Sequence, residues 1–161
     1  MARAWVFGDG ISTDLLAPGN KLKLDPEELA RHCMTAIEPD FPNLVAPGDI
    51  IFAGRNFGQG SSREQAAVSL KLLGVGAVFA QSFARIFYRN ALNLGLPIFD
   101  FANVAEISAG DHVDLDLEQG KLRNASTQKS YVIQPLPAEL MEIVKAGGLI
   151  NYLEKQFNTA P

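Results

Sequence analysis

Three short apolar segments separated by two helix-forming segments most constrain the fold of this chain. The apolar segments have the length and composition of strands that are buried on both faces. They are DIIFAG at 49–54, GAVFA at 76–80 and LPIFDF at 96–101. Between them, residues 64–73 and 83–94 predict helices, and Ser82 is the expected cap of the second. Two strand–helix units in succession predict an α/β fold with a mainly parallel core sheet flanked by helices.

The amino-terminal part of the chain predicts a strand, a loop and a capped helix. AWVF at 4–7 is typical of a strand, and the Gly-, Asp-, Ser- and Pro-rich residues 8–20 are typical of a loop. Asp25 has the position of a helix N-cap because Pro26 follows it and a Glu stands three residues later. The helix is therefore expected over residues 26–37.

After residue 101 the hydrophobic pattern changes to strict alternation. Residues 112–118 and 129–136 predict a pair of strands with one face exposed to water, and EQGK supplies a turn. One or two helices are expected over 137–146 and 149–157, on either side of Gly147 and Gly148. Since no repeat, linker or low-complexity segment interrupts the chain, residues 1–161 are expected to form a single domain.

Composition excludes several classes of function. The chain has 161 residues, of which 47% are hydrophobic and 20% charged, and its net charge of −4 lacks the broad positive field that nucleic-acid binding needs. Cys33 is the only cysteine, so this chain alone has no disulfide framework and no cysteine-ligated metal site, and a reducing cytoplasm is the expected location. No apolar run of about 18 residues predicts a membrane span, and the amino terminus does not have the pattern of a signal peptide.

Residues 56–65, NFGQGSSREQ, are the segment most suggestive of chemistry. Gly58 and Gly60 allow a ligand to approach the backbone closely, and the following helix directs unpaired N–H groups toward the loop, an arrangement that suits an anion. Arg63 adds a planar fork for a carboxylate or phosphate, and Ser61 and Ser62 add hydroxyls. The alternative is a simple turn in which Gly makes the bend and Ser caps the helix, and the motif alone does not decide between them.

A serine hydrolase and a nucleotide-binding P-loop are both excluded by the inventory of residues. A nucleophilic serine needs a base, and the only histidines are His32, in the first predicted helix, and His112, at the start of an alternating strand. Neither GxSxG nor GxxxxGK[ST] occurs in the sequence. If Ser61 or Ser62 takes part in a reaction, its partners must come from the substrate, a metal or another chain.

Three motifs together resemble the small subunit of isopropylmalate isomerase, which is equivalent to the swivelling fourth domain of aconitase. They are GDGISTDLLAPG, NFGQGSSREQ and SFARIFYRNALNLGLPIF. The resemblance is close over residues 5–101 and looser beyond. It implies a swivelling β/β/α domain that closes over a large subunit, whose three cysteines hold a 4Fe-4S cluster. The implied reaction removes and readds water on a small hydroxy di- or tricarboxylic acid.

The resemblance also implies roles for individual residues. Ser61 matches the catalytic base, while Ser62 and Arg63 match residues that bind the substrate carboxylate. Asp14 matches an aspartate that pairs with a histidine of the cluster-bearing part. Lys21 and Lys23 lie in the loop that contacts the variable group of the substrate, where an apolar loop suits isopropylmalate and a basic loop suits a further carboxylate.

This chain departs from the family pattern at two places. The family usually has His after SSRE and Cys or Glu between the loop glycines, whereas this chain has Gln65 and Gln59. Where relatives have YLRT or YLVY, it has KLKL at 21–24. The expected substrate is therefore 3-isopropylmalate or a related substituted malate, with three alternatives left open. These are a homoaconitase-type subunit, a methylmalate or dimethylmalate dehydratase subunit, and a non-catalytic module that binds small anions.

Arg85 and Arg89 lie four residues apart on one face of a predicted helix. They are interpreted either as a pair that faces a ligand or a partner, or as members of salt bridges inside the domain.

Overall fold

Seven strands form one curled sheet within residues 1–158, the part of the chain that the computed structural model describes. The order of the strands across the sheet is β4-β3-β2-β1-β5-β6-β7. The strands are β1 (Ala2–Val6), β2 (Ile50–Ala53), β3 (Ala77–Ala80), β4 (Ile98–Asp100), β5 (His112–Asp116), β6 (Lys121–Asn124) and β7 (Lys129–Val132).

The four strands β1 to β4 are parallel neighbours, which confirms the mainly parallel core sheet expected from the sequence. In this half, β2 and β3 are buried along their whole length, as the two-sided apolar pattern indicates. Strand β5 pairs antiparallel with β1 and starts the second half of the sheet.

Seven helices accompany the sheet in the described residues. They are α1 (Thr13–Leu16), α2 (Pro26–Ala30), α3 (Phe41–Leu44), α4 (Glu64–Leu72), α5 (Arg85–Asn93), α6 (Ala138–Lys145) and α7 (Leu149–Asn158). The helices expected near 64–73, 83–94, 137–146 and 149–157 are thus confirmed. None of the helices in residues 1–158 is long and apolar enough to cross a membrane.

The helix expected over residues 26–37 is shorter than predicted. Its start is correct, because the Asp25 carboxylate accepts a hydrogen bond from the Glu28 amide at 2.9 Å. The helix ends at Ala30, and Met34 has a positive φ of 65°. The Met34 amide donates to the carbonyl of Leu15, in α1, at 2.8 Å, and the Met34 side chain is fully buried. Tertiary packing against α1 therefore overrides the local helical pattern.

Three further elements differ from the expectation. The predicted loop at 8–20 contains α1 and a 3-10 turn at Gly19–Lys21. The antiparallel half has three strands instead of two, because β6 lies between β5 and β7. Ser82 does not cap α5, whose N-cap is Ala84 without a side-chain hydrogen bond. α1 and β6 are only four residues long, so the sequence signal of each is weak. The hydrogen bond of Ser82 joins residues that are 26 positions apart.

A buried carboxylate ties the start of β1 to the start of β2. Asp49 is only 5% exposed and accepts hydrogen bonds from the Trp5 indole N–H at 3.0 Å and from the Arg3 amide at 3.1 Å. The Ala46 amide donates to the same side chain at 2.9 Å. Satisfied in this way, the carboxylate is stable inside the core and aligns the two central strands.

Candidate active site

Three loops leave the carboxyl ends of β1, β2 and β3 side by side. They comprise residues 7–12, 54–63 and 81–84. In an open α/β sheet, ligands bind at the carboxyl ends of parallel strands, where successive loops converge. The Gly-rich segment is the middle loop of the three. Each neighbouring loop forms main-chain hydrogen bonds with its first half.

The first and middle loops continue the parallel pairing of β1 and β2. The Gly58 amide donates to the Ile11 carbonyl at 2.7 Å, and the Thr13 amide donates to the Gln59 carbonyl at 2.8 Å. Ser12 and Gln59 form an isolated parallel bridge between the same loops. The first half of the Gly-rich loop is therefore fixed by main-chain hydrogen bonds rather than left mobile.

The third loop secures the other side of the middle loop. The Phe57 amide donates to the Ser82 carbonyl at 3.0 Å, and the Ala84 amide donates to the Phe57 carbonyl at 2.9 Å. The Ser82 hydroxyl accepts from the Asn56 amide at 2.9 Å. Ser82 thus stabilises the Gly-rich loop instead of capping α5, the role that its sequence position predicts.

Two glycines of the loop stand where a side chain would not fit well. Gly58 has a φ of +84°, and a Cβ added there would lie 2.3 Å from the Cβ of Phe87 in α5. Gly60 has a φ of +107°, and a Cβ there would lie 3.1 Å from the Thr13 hydroxyl oxygen. Gly58 allows α5 to pack directly on the loop, and Gly60 provides the backbone turn that leads to the serines.

Ser61 and Ser62 do not cap the following helix. The N-cap of α4 is Arg63, and α4 receives no side-chain capping bond. Both serines are exposed, and neither hydroxyl hydrogen-bonds to any residue that the structure describes. The alternative in which one of the two serines caps α4 is therefore wrong, since the two hydroxyls face solvent.

The backbone of the same segment also keeps free donors. Within the described residues, the amides of Gly60, Ser61 and Ser62 donate no hydrogen bond, whereas the next amide, of Arg63, donates to the Ser61 carbonyl at 2.8 Å. These three consecutive free N–H groups lie in the loop just before the N-cap of α4, and free amides near a helix N-terminus favour negative charge.

Arg63 brings a half-fixed guanidinium to the end of the loop. Its Nη1 donates to Asp14 Oδ1 and to the Ala17 carbonyl, both at 3.1 Å, and its side chain is 21% exposed. The Nη2 and Nε donors form no hydrogen bond to another described residue. Gly19 lies next to the guanidinium, since an added Cβ there would be 3.1 Å from Nη2. Nη1 of Arg63 is thus held by the protein, whereas Nη2 and Nε keep donors for a ligand.

Asp14 is the acceptor that organises this corner. Its Oδ1 receives the Gly19 amide at 2.8 Å as well as Arg63. The Gly19 hydrogen bond first, and the Arg63 guanidinium second, lower the pKa of the Asp14 carboxyl. Its Oδ2 has no partner in residues 1–158, and the side chain is 70% exposed. Sequence reasoning missed the contributions of Ala17 and Gly19, since a carbonyl and an amide carry no side-chain signal.

Lys21 and Lys23 lie on the turn that begins at Gly19. This turn is close to the Asp14–Arg63 ion pair, because Gly19 contacts both of its side chains. Lys23 is exposed and Lys21 half-buried, and neither forms an ion pair within the described part of the chain. Leu22 and Leu24 pack against the core instead. The polar side of this turn is therefore the side turned to solvent.

The histidines and the cysteine lie outside this group. His112 pairs with Arg3 near the amino end of β1, the opposite edge of the sheet from the Gly-rich loop, and His32 lies in the turn after α2. Cys33 is fully buried, and burial raises the pKa of its thiol, which disfavours the thiolate that a cluster needs. In residues 1–158, no group of three or more His, Cys, Asp or Glu is placed to hold a metal ion.

Comparisons with known proteins agree on one family. The aconitase C-terminal domain model matches residues 39–103. The 3-isopropylmalate dehydratase small subunit of Nautilia profundicola is 52% identical over 154 residues, covering 95% of this chain and 93% of that protein. The isopropylmalate/citramalate isomerase small subunit of Methanocaldococcus jannaschii is 48% identical over 156 residues, covering 96% and 93%.

A solved structure shares the whole fold. The crystal structure of 3-isopropylmalate dehydratase from Methanocaldococcus jannaschii superposes with a TM-score of 0.92 at 47% identity, covering 98% of this chain and 94% of that one. The fold and the matched domain define an aconitase-type α/β protein. More particularly, the chain belongs to the family of 3-isopropylmalate dehydratase small subunits, which are parts of a hydro-lyase and whose name implies a large subunit.

The close approach of Gly58 to Phe87 leads to a stability prediction. We expect Gly58→Ala to lower the free energy of unfolding by about 1–3 kcal/mol more than Gly110→Ala, because overpacking adds to the backbone strain. Gly110 is a matched control, since its φ is +88° and its added Cβ would meet nothing within 4 Å. Chemical denaturation of both variants measures the difference. Equal losses would contradict the packing role assigned to Gly58.

The hydrogen bonds of Asp14 lead to a prediction about its titration. We expect the pKa of Asp14, followed by carboxyl-carbon NMR, to lie below that of an ordinary aspartate. In Arg63→Gln the pKa should rise but remain low, because the Gly19 amide is the larger cause. The pKa of Asp14 is lower in the folded state than in the unfolded state. The Asp14 carboxylate therefore stabilises the fold at any pH above its unfolded-state pKa, and this stabilisation is lost as the pH falls through its folded-state pKa. Complete return to the ordinary pKa in Arg63→Gln would show that Gly19 contributes nothing.

Proposed function

We propose that this chain supplies the proton-transfer half of the active site of a hydro-lyase that acts on a small hydroxy di- or tricarboxylic acid. The observation that carries the proposal is the pair of uncapped serine hydroxyls, which lie beside three free amides and a half-fixed guanidinium. In the absence of a ligand these exposed groups are satisfied by water. An anionic ligand would replace that water and accept hydrogen bonds from them.

Ser61 is the proposed base. A serine hydroxyl is a weak base unless its alkoxide is stabilised, and the free amides of residues 60–62 and the start of α4 supply partial positive charge at that position. In this role Ser61 removes a proton from the carbon next to a substrate carboxylate and returns it when water is readded. The fixed first half of the loop keeps the hydroxyl in one place during the transfer.

Ser62 and Arg63 are the proposed carboxylate site. Nη2 and Nε of Arg63 lie side by side on the guanidinium plane, so they match the two oxygens of a carboxylate, and the Ser62 hydroxyl offers a further donor. Asp14 prevents rotation of the guanidinium by holding Nη1 at 3.1 Å. Gly58 and Gly60 form the proposed anion loop: Gly58 is covered by Phe87 and fixes the loop against α5, whereas the exposed Gly60 allows the substrate to approach the backbone.

The proposed partner is a large subunit that carries a 4Fe-4S cluster. The cysteine of this chain does not fit such a cluster because it is buried in the core. When bound to the large subunit, the cluster supplies a Lewis acid for the leaving hydroxyl. The free Oδ2 of Asp14 is the proposed contact for a histidine of that subunit. Residues 1–161 then act as one swivelling domain that closes over the substrate in the cytoplasm.

The proposed substrate is 3-isopropylmalate or a smaller substituted malate. The names of the two relatives cover both sizes of side group, isopropylmalate and citramalate. In this chain the turn after Gly19 presents Lys21 and Lys23, whereas its leucines pack on the core. A cation near the variable group favours a small or polar group over a bulky alkyl one, since burial beside an alkyl group would leave the ammonium poorly solvated.

The role of Ser61 is tested with the complex reconstituted from this chain and its large subunit. We expect Ser61→Ala to lower kcat by about 10²- to 10⁴-fold and to leave assembly intact, because a base acting directly on the reacting proton contributes that much. Ser108→Ala, at an exposed serine of another loop, is the control and should change neither quantity. A decrease of less than tenfold would remove Ser61 from proton transfer, and a wild-type complex without turnover would favour the non-catalytic anion-binding module.

The role of the lysines is tested by substrate preference. The measured quantity is kcat/KM for 3-isopropylmalate divided by kcat/KM for a methyl-substituted malate. We expect this ratio to be higher in Lys23→Val than in the wild type, by a factor that corresponds to about 1–3 kcal/mol, as is typical of a pocket contact. Lys121→Val, at an exposed position of β6, is the control. An unchanged ratio would mean that the turn does not contact the substrate. Turnover of a tricarboxylic homologue instead would indicate a homoaconitase-type subunit.

A further inference from the structure

A cavity of about 370 Å³ lies at the far end of α4 from the candidate active site. It is bounded by the last turns of α4 and α5 and by the first turn of α7. Lys71, which lines it, stands eight positions after Arg63, the N-cap of α4, so about 12 Å of helix separates the two sites. Small-molecule sites occupy roughly 300–1,000 Å³, so the cavity has the size of a ligand site. We call it the α4–α7 cavity.

Lys71 is the charged group of the α4–α7 cavity. Its ammonium donates to the carbonyl of Leu94, at the end of α5, and, at 2.7 Å, to the carbonyl of Gly147, which follows α6. An ammonium has three donors, and Lys71 forms no ion pair and no further hydrogen bond in residues 1–158, so one donor remains for a ligand. Partial burial lowers the pKa of this ammonium, because its charge is poorly solvated. An anion in the cavity would offset that cost.

Other cations without an ion pair have different surroundings. Arg85 and Arg89 of α5 form no ion pair with any residue from 1 to 158, so the interpretation of the pair as internal salt bridges is wrong. Neither of them lines the α4–α7 cavity. Lys71 instead combines a spare donor with a concave wall, and a concave wall is what surrounds a small ligand.

The rest of the cavity wall is mainly apolar. Its apolar side chains are those of Val68, Leu72, Leu94 and Ile150, and Asn93 and Asn151 complete it. Leu72 is 48% exposed and Ile150 is 74% exposed, so an alkyl chain in the cavity would cover apolar surface that otherwise faces water. No aspartate or glutamate among the described residues lines the cavity. The wall therefore favours a ligand with a negative charge at one end and an apolar body.

We propose that the α4–α7 cavity binds a small monocarboxylate with an alkyl chain. The carboxylate accepts a charge-assisted hydrogen bond from Lys71, and the chain packs on Leu72 and Ile150. A dicarboxylate fits less well, because its second carboxylate would lie against the apolar wall without a cation. The ends of α5 and α6 offset part of the ammonium charge, so the affinity is expected to be modest. This site is additional to the proposed active site and does not depend on it.

The test is an NMR titration of the full chain, labelled with ¹⁵N, at constant ionic strength. The probes are hexanoate, 1-hexanol, which lacks the charge, and adipate, which adds a second carboxylate. We expect hexanoate to shift the amide signals of Leu72 and Asn151 with a Kd on the order of 1 mM. The Kd of 1-hexanol and of adipate should be at least roughly tenfold higher.

Two variants separate the charge of the cavity from its shape. Ile150→Glu places a carboxylate in the wall and should raise the Kd of hexanoate at least roughly tenfold through repulsion. Val132→Glu makes the same charge change on β7, at a side chain that is 92% exposed, and should leave the Kd within about threefold of wild type. Lys71→Met removes the ammonium but keeps an apolar stem, so hexanoate should then bind no better than 1-hexanol.

Ile150→Glu keeps the test decisive if Lys71→Met does not fold, since Ile150 is largely exposed. Equal affinity for hexanoate and 1-hexanol in the wild type would overturn the proposal, because Lys71 would then contribute nothing. Equal effects of Ile150→Glu and Val132→Glu would overturn it as well. Shifts confined to the Gly-rich loop would show that carboxylates bind only at the candidate active site. Each of these results leaves the proposed function intact.

Discussion

The pairing of backbone beyond the ends of β1, β2 and β3 is the constraint on which the site depends. Parallel strands usually diverge into loops, but here the Gly-rich segment forms main-chain hydrogen bonds to its neighbours on both sides, with Ile11 and Thr13 on one side and with Ser82 and Ala84 on the other. Gly58 adds a further contact to this arrangement. Because it has no side chain, Phe87 of α5 packs directly against the loop. The proposed catalytic groups require rigid support, and main-chain hydrogen bonds provide it up to Gly60.

The rigid support stops at Gly60. Beyond it, the amides and hydroxyls at 60–62 have no partner among the described residues, and Arg63 is held only through Nη1. Exposed polar groups of this density are tolerated because water satisfies them until a ligand replaces it. The protein therefore presents a prepared but incomplete site, which is consistent with a subunit whose family name implies a larger partner.

Electrostatics separates this site from the rest of the surface. The chain carries a net charge of −4, yet Arg63 lies near Ser61, and Lys21 and Lys23 lie on the turn that begins at Gly19, next to the Arg63 guanidinium. Asp14 is the local exception, and its hydrogen bonds from Gly19 and from Arg63 lower the pKa of its carboxyl. A local positive field of this kind favours a carboxylate ligand without making the whole protein attractive to nucleic acid.

The sequence by itself determined the parallel half of the sheet, the family and the position of the Gly-rich loop, because apolar periodicity, glycines and the SSRE motif are local signals. Only the tertiary structure decided that α2 ends at Ala30, where the Met34 amide bonds to Leu15, and that Ser82 supports the loop. It alone paired Asp14 with Arg63, which are 49 residues apart. It also left the serines uncapped. These outcomes depend on contacts between distant segments, and the free energy of such contacts is not encoded in any short stretch of residues.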